Sequence, residues 1–200
     1  MDEIDQSKRT TLKRFAALGA ATPLLGRSED TSDTRGAIVG YLATTPGAHF
    51  SKLRDDLKLG TGETQHHLRR LETSGDIETM KDGDYRRYFL ADRFSDFEKH
   101  ALGYLRRETP RRMLVALLSD PSATGTDLAA AADVSPSTVS KYASELAETG
   151  LLSRDDGYAI EQPETLLTLL VRYADSFGPA AVELADGADS LVVYDPSIDG

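Results

Sequence analysis

Two kinds of side chain in this sequence could carry chemistry: a few histidines and a set of arginines. The histidines are His49, His66, His67 and His100. His66 and His67 are adjacent, so on a helix they diverge by about 100° and cannot easily ligate one ion. Glu63 and His67 stand at i, i+4 and could share a metal, but a packed His67 beside Leu68 is the more ordinary outcome. Gly60-Thr61-Gly62 is a turn rather than a phosphate loop, because no G-x-x-x-x-G-K-[ST] succeeds it. Ser137, Ser140 and Ser144 suit a polar helix face better than a Ser/His/Asp set. Cysteine is absent, which removes disulfide frameworks and cysteine-rich zinc sites. Catalysis is therefore not expected, nor is any cofactor or metal. Arg69, Arg70, Arg86 and Arg87 suggest something else. Guanidinium forks at these positions suit phosphate oxygens and base edges.

The elements that must hold those arginines lie in one stretch, Gly62 to Leu90. Thr64, Leu68 and Leu71 recur at helical spacing with His67 beside them, which places Gln65, His66, Arg69 and Arg70 on the outer face. Gly75 stops that helix. Ile77–Met80 and Tyr85–Leu90 are rich in β-formers, and Lys81-Asp82-Gly83-Asp84 joins them as a hairpin. Arg86 and Arg87 alternate across the strand, so only one can face a ligand. Upstream, Ser51 can cap a short helix from Lys52 to Lys58 with Leu53 and Leu57 inward. Gly60-Thr61-Gly62 then supplies a helix-turn-helix turn, and His49-Phe50 a short extended segment. Thr34 can cap an earlier helix that buries Ile38 and Leu42 and ends at Pro46-Gly47. The pattern predicts a winged helix whose second helix enters the DNA major groove while its hairpin touches phosphate. The plainer alternative makes the four arginines a solvated face.

Composition sets limits on this reading. The chain has 200 residues, 40% hydrophobic, enough for one or two small cores. Net charge is −10, with 33 acidic residues against 23 basic ones, an unusual balance for a DNA binder. Asp outnumbers Glu and Arg outnumbers Lys, a pattern that resembles proteins adapted to concentrated salt. Periodic apolar segments argue against a disordered acidic chain.

Residues 1–33 predict an N-terminal arm or short helix with a linker. Lys8, Arg9, Lys13 and Arg14 precede an apolar run from Phe15 to Gly26 that looks something like a twin-arginine export signal. Lys13-Arg14 stands where the arginine pair would be, however, Phe15 and Ala16 are out of register with the motif, and the run is too short to span a bilayer. A surface or dimer-contacting helix fits better, with a solvated linker at Glu29–Asp33. After the first hairpin, Phe94 to Arg107 predicts a connecting helix burying Phe97, Ala101, Tyr104 and Leu105. Glu108-Thr109-Pro110 starts the next helix.

The chain beyond that helix start repeats the first half. A shift of 75 residues, without gaps, pairs Leu42 with Leu117, Pro46 with Pro121, Leu53 with Leu128, Leu71 with Leu146 and Gly75 with Gly150. Ile38 with Met113, Ser51 with Thr126, Leu59 with Val134 and Thr64 with Val139 match conservatively. The second unit thus predicts a helix from Pro110, a short helix from Asp127, a turn at Val134-Ser135-Pro136, and a helix ending at Gly150. A stubby hairpin comes next, around Asp155-Asp156-Gly157. Pro163 opens a helix bearing Leu166, Leu167, Leu170 and Tyr173, and Ala180–Ala185 suggests one more. Leu191–Tyr194 is an apolar island in an acidic tail.

Both halves resemble winged helix-turn-helix regulators of the MarR and ArsR type, on the strings GTGETQHHLRRLETSG and VSPSTVSKYASELAETGLL. Their pairing, the RRETPRRMLVALL junction and the acidic composition resemble tandem winged-helix regulators of haloarchaea, over about residues 32–177. The resemblance implies a mainly α fold with small β-hairpin wings: two tandem winged helix-turn-helix units joined by a helix. The boundaries expected are 1–33, 34–92 for the first unit, 93–108 for the connecting helix, 109–161 for the second unit, and 162–200 for a C-terminal helix and acidic tail. It also implies a cytoplasmic transcriptional regulator, a homodimer on double-stranded DNA, with no membrane partner. Metal sensing is not implied, since the thiolates that serve it are missing. The expected DNA contacts are Thr61, Glu63, Gln65, His66, Arg69, Arg70, Lys81, Arg86 and Arg87 in the first unit, and Ser137, Thr138, Ser140 and Lys141 in the second. The first unit is expected to bind more strongly: residues 34–90 hold nine Lys and Arg against eight Asp and Glu, residues 109–161 four against eight. A scaffold acting through protein contacts and a signal-bearing envelope protein remain alternatives.

Overall fold

Apolar side chains at helical spacing gather the first unit around Ile38, Tyr41 and Leu42, all fully enclosed. The computed structural model describes residues 2–19 and 29–187, and its chain divides into a unit ending at Ser95 and one beginning at Asp96. The first unit runs α1 (Asp2–Gly19), α2 (Glu29–Thr44), β1 (Ala48–His49), α3 (Phe50–Asp56), α4 (Thr61–Thr73), β2 (Ile77–Asp82) and β3 (Tyr85–Leu90). Leu53, Leu57, Leu68, Leu71 and Ile77 close the core from the other elements. Each such aliphatic side chain contributes roughly 1.5–3 kcal/mol by leaving water.

β2 and β3 form an antiparallel hairpin in register from Ile77 against Leu90 to Asp82 against Tyr85. β1 adds to the other edge of β3, pairing His49 with Arg87, which gives the order β1-β3-β2. The reversal falls on Gly83 and Asp84, with Gly83 at φ 58°.

Several local expectations shift. Thr34 does not cap α2: the helix begins at Glu29, absorbing the expected linker Glu29–Asp33, and Thr34 is buried within it. The cap of α3 is His49, not Ser51, its Nδ1 accepting from the Lys52 amide at 3.3 Å. The helix-turn-helix bend is also displaced. Thr61 and Gly62 already belong to α4, capped by Gly60, and the reversal falls on Lys58 at φ 56°. The Lys58 amide donates to Asp55 O and the Leu59 amide to Arg54 O, a left-handed helix stop that also buries Leu59.

The N-terminal helix α1 docks on its own unit. Leu12 enters the core, Phe15 meets Tyr41 edge-on with ring centroids 5.3 Å apart, and Lys8 pairs with Glu63. The apolar run beyond Gly19 lies outside the described residues.

The second unit contains α5 (Asp96–Leu105), α6 (Glu108–Ser119), α7 (Gly125–Ala132), α8 (Pro136–Glu148), β4 (Leu152–Ser153), β5 (Ala159–Ile160), α9 (Pro163–Arg172), α10 (Ala174–Phe177) and α11 (Pro179–Asp186). The connecting helix α5 is thus part of this unit, where it packs on α6 and α9. Arg107 precedes α6 as its cap, so Glu108 and Thr109 lie inside the helix ahead of Pro110. Thr124 caps α7 in a reciprocal box with Asp127, and Ser135 caps α8 with Pro136 in its first turn. The 75-residue repeat holds in three dimensions: α4 and α8 both span thirteen residues in matching register. Lys58 and Asp133, at φ 56° and 55°, are matching left-handed positions, as are Gly75 and Gly150 at 76° and 70°. The wings differ, since β4 and β5 pair over two residues each. α9 buries Leu166, Leu169 and Leu170 within the unit. Leu191–Tyr194 lies outside the described residues.

Candidate nucleic-acid interface

Helix α4 separates two sets of side chains. Thr64, His67, Leu68 and Leu71 face inward, and the Thr64 hydroxyl donates to Gly60 O at 2.9 Å. Thr61, Gln65, His66, Arg69 and Arg70 are exposed on the opposite face. No hydrogen bond or ion pair engages the Arg69 or Arg70 guanidinium among the described residues. A groove of about 570 Å³ runs along this face, lined by Gln65, His66, Arg69, Arg70, Thr73 and Ser74, with Gly62 at one end and Arg35 of α2 at its side.

Glu63, expected among the contacts, is held by its own unit. Its carboxylate accepts from Lys8 Nζ at 2.8 Å and from the Gly60 amide at 3.2 Å, completing the helix cap. Burial opposes its ionisation, but the Lys8 and Gly60 hydrogen bonds, with the charges of Lys8 and His67, outweigh that and hold it below its ordinary value of 4.5. His67 is packed, as the ordinary reading expected, with 5% of its surface exposed. Its Nδ1 has no hydrogen-bond partner among the described residues. Burial, then the neighbouring His66, Arg35 and Arg70 charges, lower its pKa from 6.5 against the opposing pull of Glu63. Among the described residues no cluster of His, Asp and Glu could hold a metal.

On the wing the two arginines divide. Arg86 points outward, ion-paired to Glu72 of α4 and donating to Thr79 Oγ1 at 3.2 Å. Arg87 does not reach the surface: 2% exposed, it pairs with the buried Asp82 and donates to Gly47 O at 3.0 Å. It ties the hairpin to the loop before β1, so its expected role as a DNA contact is corrected to that of a structural bridge. Lys81 is exposed and, among the described residues, unpaired, beside Asp84, Tyr85 and Arg86 at the hairpin tip. Tyr85 is half exposed, its ring 5.0 Å from that of His49.

In the second unit Ser137, Ser140 and Lys141 are exposed and Thr138 half-buried. Ser137 and Thr138 lie within hydrogen-bonding distance of the capping Ser135, at 2.8 and 3.0 Å. Lys141 stands 3.8 Å from Glu145, which occupies the position of Arg70 in the first unit. Arg154 donates to Ser144 at 2.7 Å, and Asp155 and Asp156 are exposed at the turn. This face presents hydroxyls and one paired cation where the first presents guanidinium groups.

Sequence reasoning missed Arg35 and Lys8. Arg35 stands one helical turn before Ile38 on the helix packed beside α4, which was the one available signal. Lys8 lay in a segment whose pattern pointed to a surface or dimer-contacting helix, not to Glu63 of its own unit.

Comparison with known proteins gives three matches. Residues 32–102 match a family described as an N-terminal helix-turn-helix domain. Residues 106–153 match a winged helix-turn-helix DNA-binding family. An uncharacterized HTH-type transcriptional regulator of Methanocaldococcus jannaschii is 33% identical over 91 residues, covering 46% of this chain and 23% of the relative. The chain thus spans about a quarter of that relative's length. No described helix is long and apolar enough to cross a membrane. The two family matches fall largely on the two units, and the fold is two tandem winged helix-turn-helix units, similar to these helix-turn-helix families.

Proposed function

We propose that this protein is a sequence-specific regulator of transcription that reads double-stranded DNA through its first unit, with α4 in the major groove and the hairpin tip on phosphate. The observation that carries the proposal is the exposed, unpaired Arg69 and Arg70 beside Gln65 and His66 on one helix face. Arg or Lys donates to guanine O6 and N7, Gln donates through Nε2 to adenine N7 and accepts through Oε1 from adenine N6, and His66 can donate or accept through its ring nitrogens. On the wing, Lys81 is the phosphate contact, since Arg86 is shared with Glu72 and Arg87 is internal. The second unit contributes packing and, through Ser137, Ser140 and Lys141, weaker contacts; its acidic turn opposes phosphate. Binding as a homodimer belongs to the same proposal and would place two half-sites about 34–36 Å apart or a multiple of that. The test is selection of duplexes from a random pool by the full chain, with footprinting of the winners. An enriched motif protected in the major groove supports the reading. Enrichment without a motif, or none, rejects it.

A further inference from the structure

A helix lying in a major groove has a phosphate backbone on each side of it, but the wing stands on only one side of α4. Glu72 is where the wing attaches, through Arg86. Arg70 points in a different direction: two residues away on a helix is roughly 160° around the axis. Arg70 therefore marks the flank turned away from the wing, with Gln65, Arg69 and Thr73 between the two. Arg35 of α2 lines the groove beside Arg70 and His66. A second observation places it there independently: Arg35 and Arg70 both act on the buried His67 imidazole, lowering its affinity for a proton.

We infer that Arg35 is a phosphate-positioning residue on the flank opposite the wing, so that cations from α2 and from the hairpin tip grip the two backbones on either side of α4. This rests on the proposed DNA reading by the first unit. The ligand chemistry is a phosphodiester, and the contact carries no base information. α2 is well suited to hold such a residue, because Ala37, Ile38, Tyr41 and Leu42 anchor its next two turns in the core. A cation on a fixed helix meets phosphate without the ordering cost that a loop would incur.

The experiment uses the full chain, a duplex selected by it, and a scrambled duplex of the same length, with affinity measured across a salt series. Removing one phosphate contact should lower the slope of log K against log salt by about 0.9. Arg35→Gln should therefore weaken both duplexes by the same factor. Its deficit relative to the wild type should shrink about threefold between about 50 and about 200 mM salt. Arg35→Lys, which keeps a cation for phosphate, should keep the slope; if it behaves like Arg35→Gln, the guanidinium is structural and the inference falls. Arg35→Gln combined with Lys81→Gln should lower the slope by about 1.8, because the two cations meet different phosphates. A combined loss of only about 0.9 would mean a shared phosphate and would overturn the opposite-flank assignment. A loss confined to the selected duplex would make Arg35 a base reader and would also overturn it. Binding by the wild type with an unchanged slope in Arg35→Gln rejects this inference alone, whereas absence of wild-type binding rejects the DNA reading and this inference with it.

Discussion

Arg86 and Arg87 are neighbours in sequence with opposite fates, and the difference lies in what each strand face meets. Arg87 turns inward onto Asp82 and Gly47 O, so Arg87→Ala strands a buried carboxylate and a carbonyl. It should cost about 3–5 kcal/mol of stability, against at most about 1 kcal/mol for Arg86→Ala, whose own side chain lies at the surface. Urea unfolding monitored by circular dichroism checks both; equal effects would contradict the burial of Arg87. His67 makes a second prediction. Its folded pKa is below 6.5, so the unfolded chain binds more protons in the window beneath that value and stability falls as pH drops through it. Glu63, depressed below 4.5, contributes stability above that value, which is lost as pH falls further toward its folded pKa. Stability should therefore decline in two successive limbs on acidification. In His67→Gln the first limb should disappear while the second remains, which a pH series of melting curves would show.

At the scale of elements, what the sequence made legible was whatever repeats or alternates along the chain itself. The inner faces of α4 and α8, the two glycine stops and the 75-residue register all derive from residue spacing, and each stands in the structure. What could not be read depends on partners distant in sequence. Ser51 has the right type to cap α3, but His49 stands at the position where the backbone turns extended. Lys58 adopts a left-handed conformation without being glycine, because Leu59 must be drawn into the core. Glu63 has the look of a groove residue in the sequence, yet Lys8, 55 positions earlier, holds it. Arg87 has the look of a wing contact because nothing in its strand discloses the Gly47 carbonyl, 40 positions away. The matched helix stops can be tested directly. A Cβ at Gly75 or Gly150 would meet no atom within 4 Å, so Gly75→Ala and Gly150→Ala should each cost only the left-handed backbone strain, about 1–2 kcal/mol. Thermal denaturation should show similar losses for the two; a loss at one position only would mean the repeat is not structurally equivalent there.

Across the whole chain, the two units share one architecture and differ in charge. Residues 34–90 carry nine Lys and Arg against eight Asp and Glu, and residues 109–161 four against eight, within a net charge of −10. Such a balance implies self-repulsion that salt screens. The melting temperature of the full chain should therefore rise with added KCl, and a flat response would contradict that electrostatic account. The same asymmetry supports the proposed reading of DNA by α4. The decisive measurement is the affinity of the full chain for its selected duplex when matched positions of α4 and α8 are altered. Arg69→Ala should cost about 1–3 kcal/mol and relax the preference at one base position, whereas Ser144→Ala, its counterpart in the second unit, should leave affinity and preference nearly unchanged. If Ser144→Ala abolishes selective binding while Arg69→Ala is silent, the first unit is not the reader of DNA.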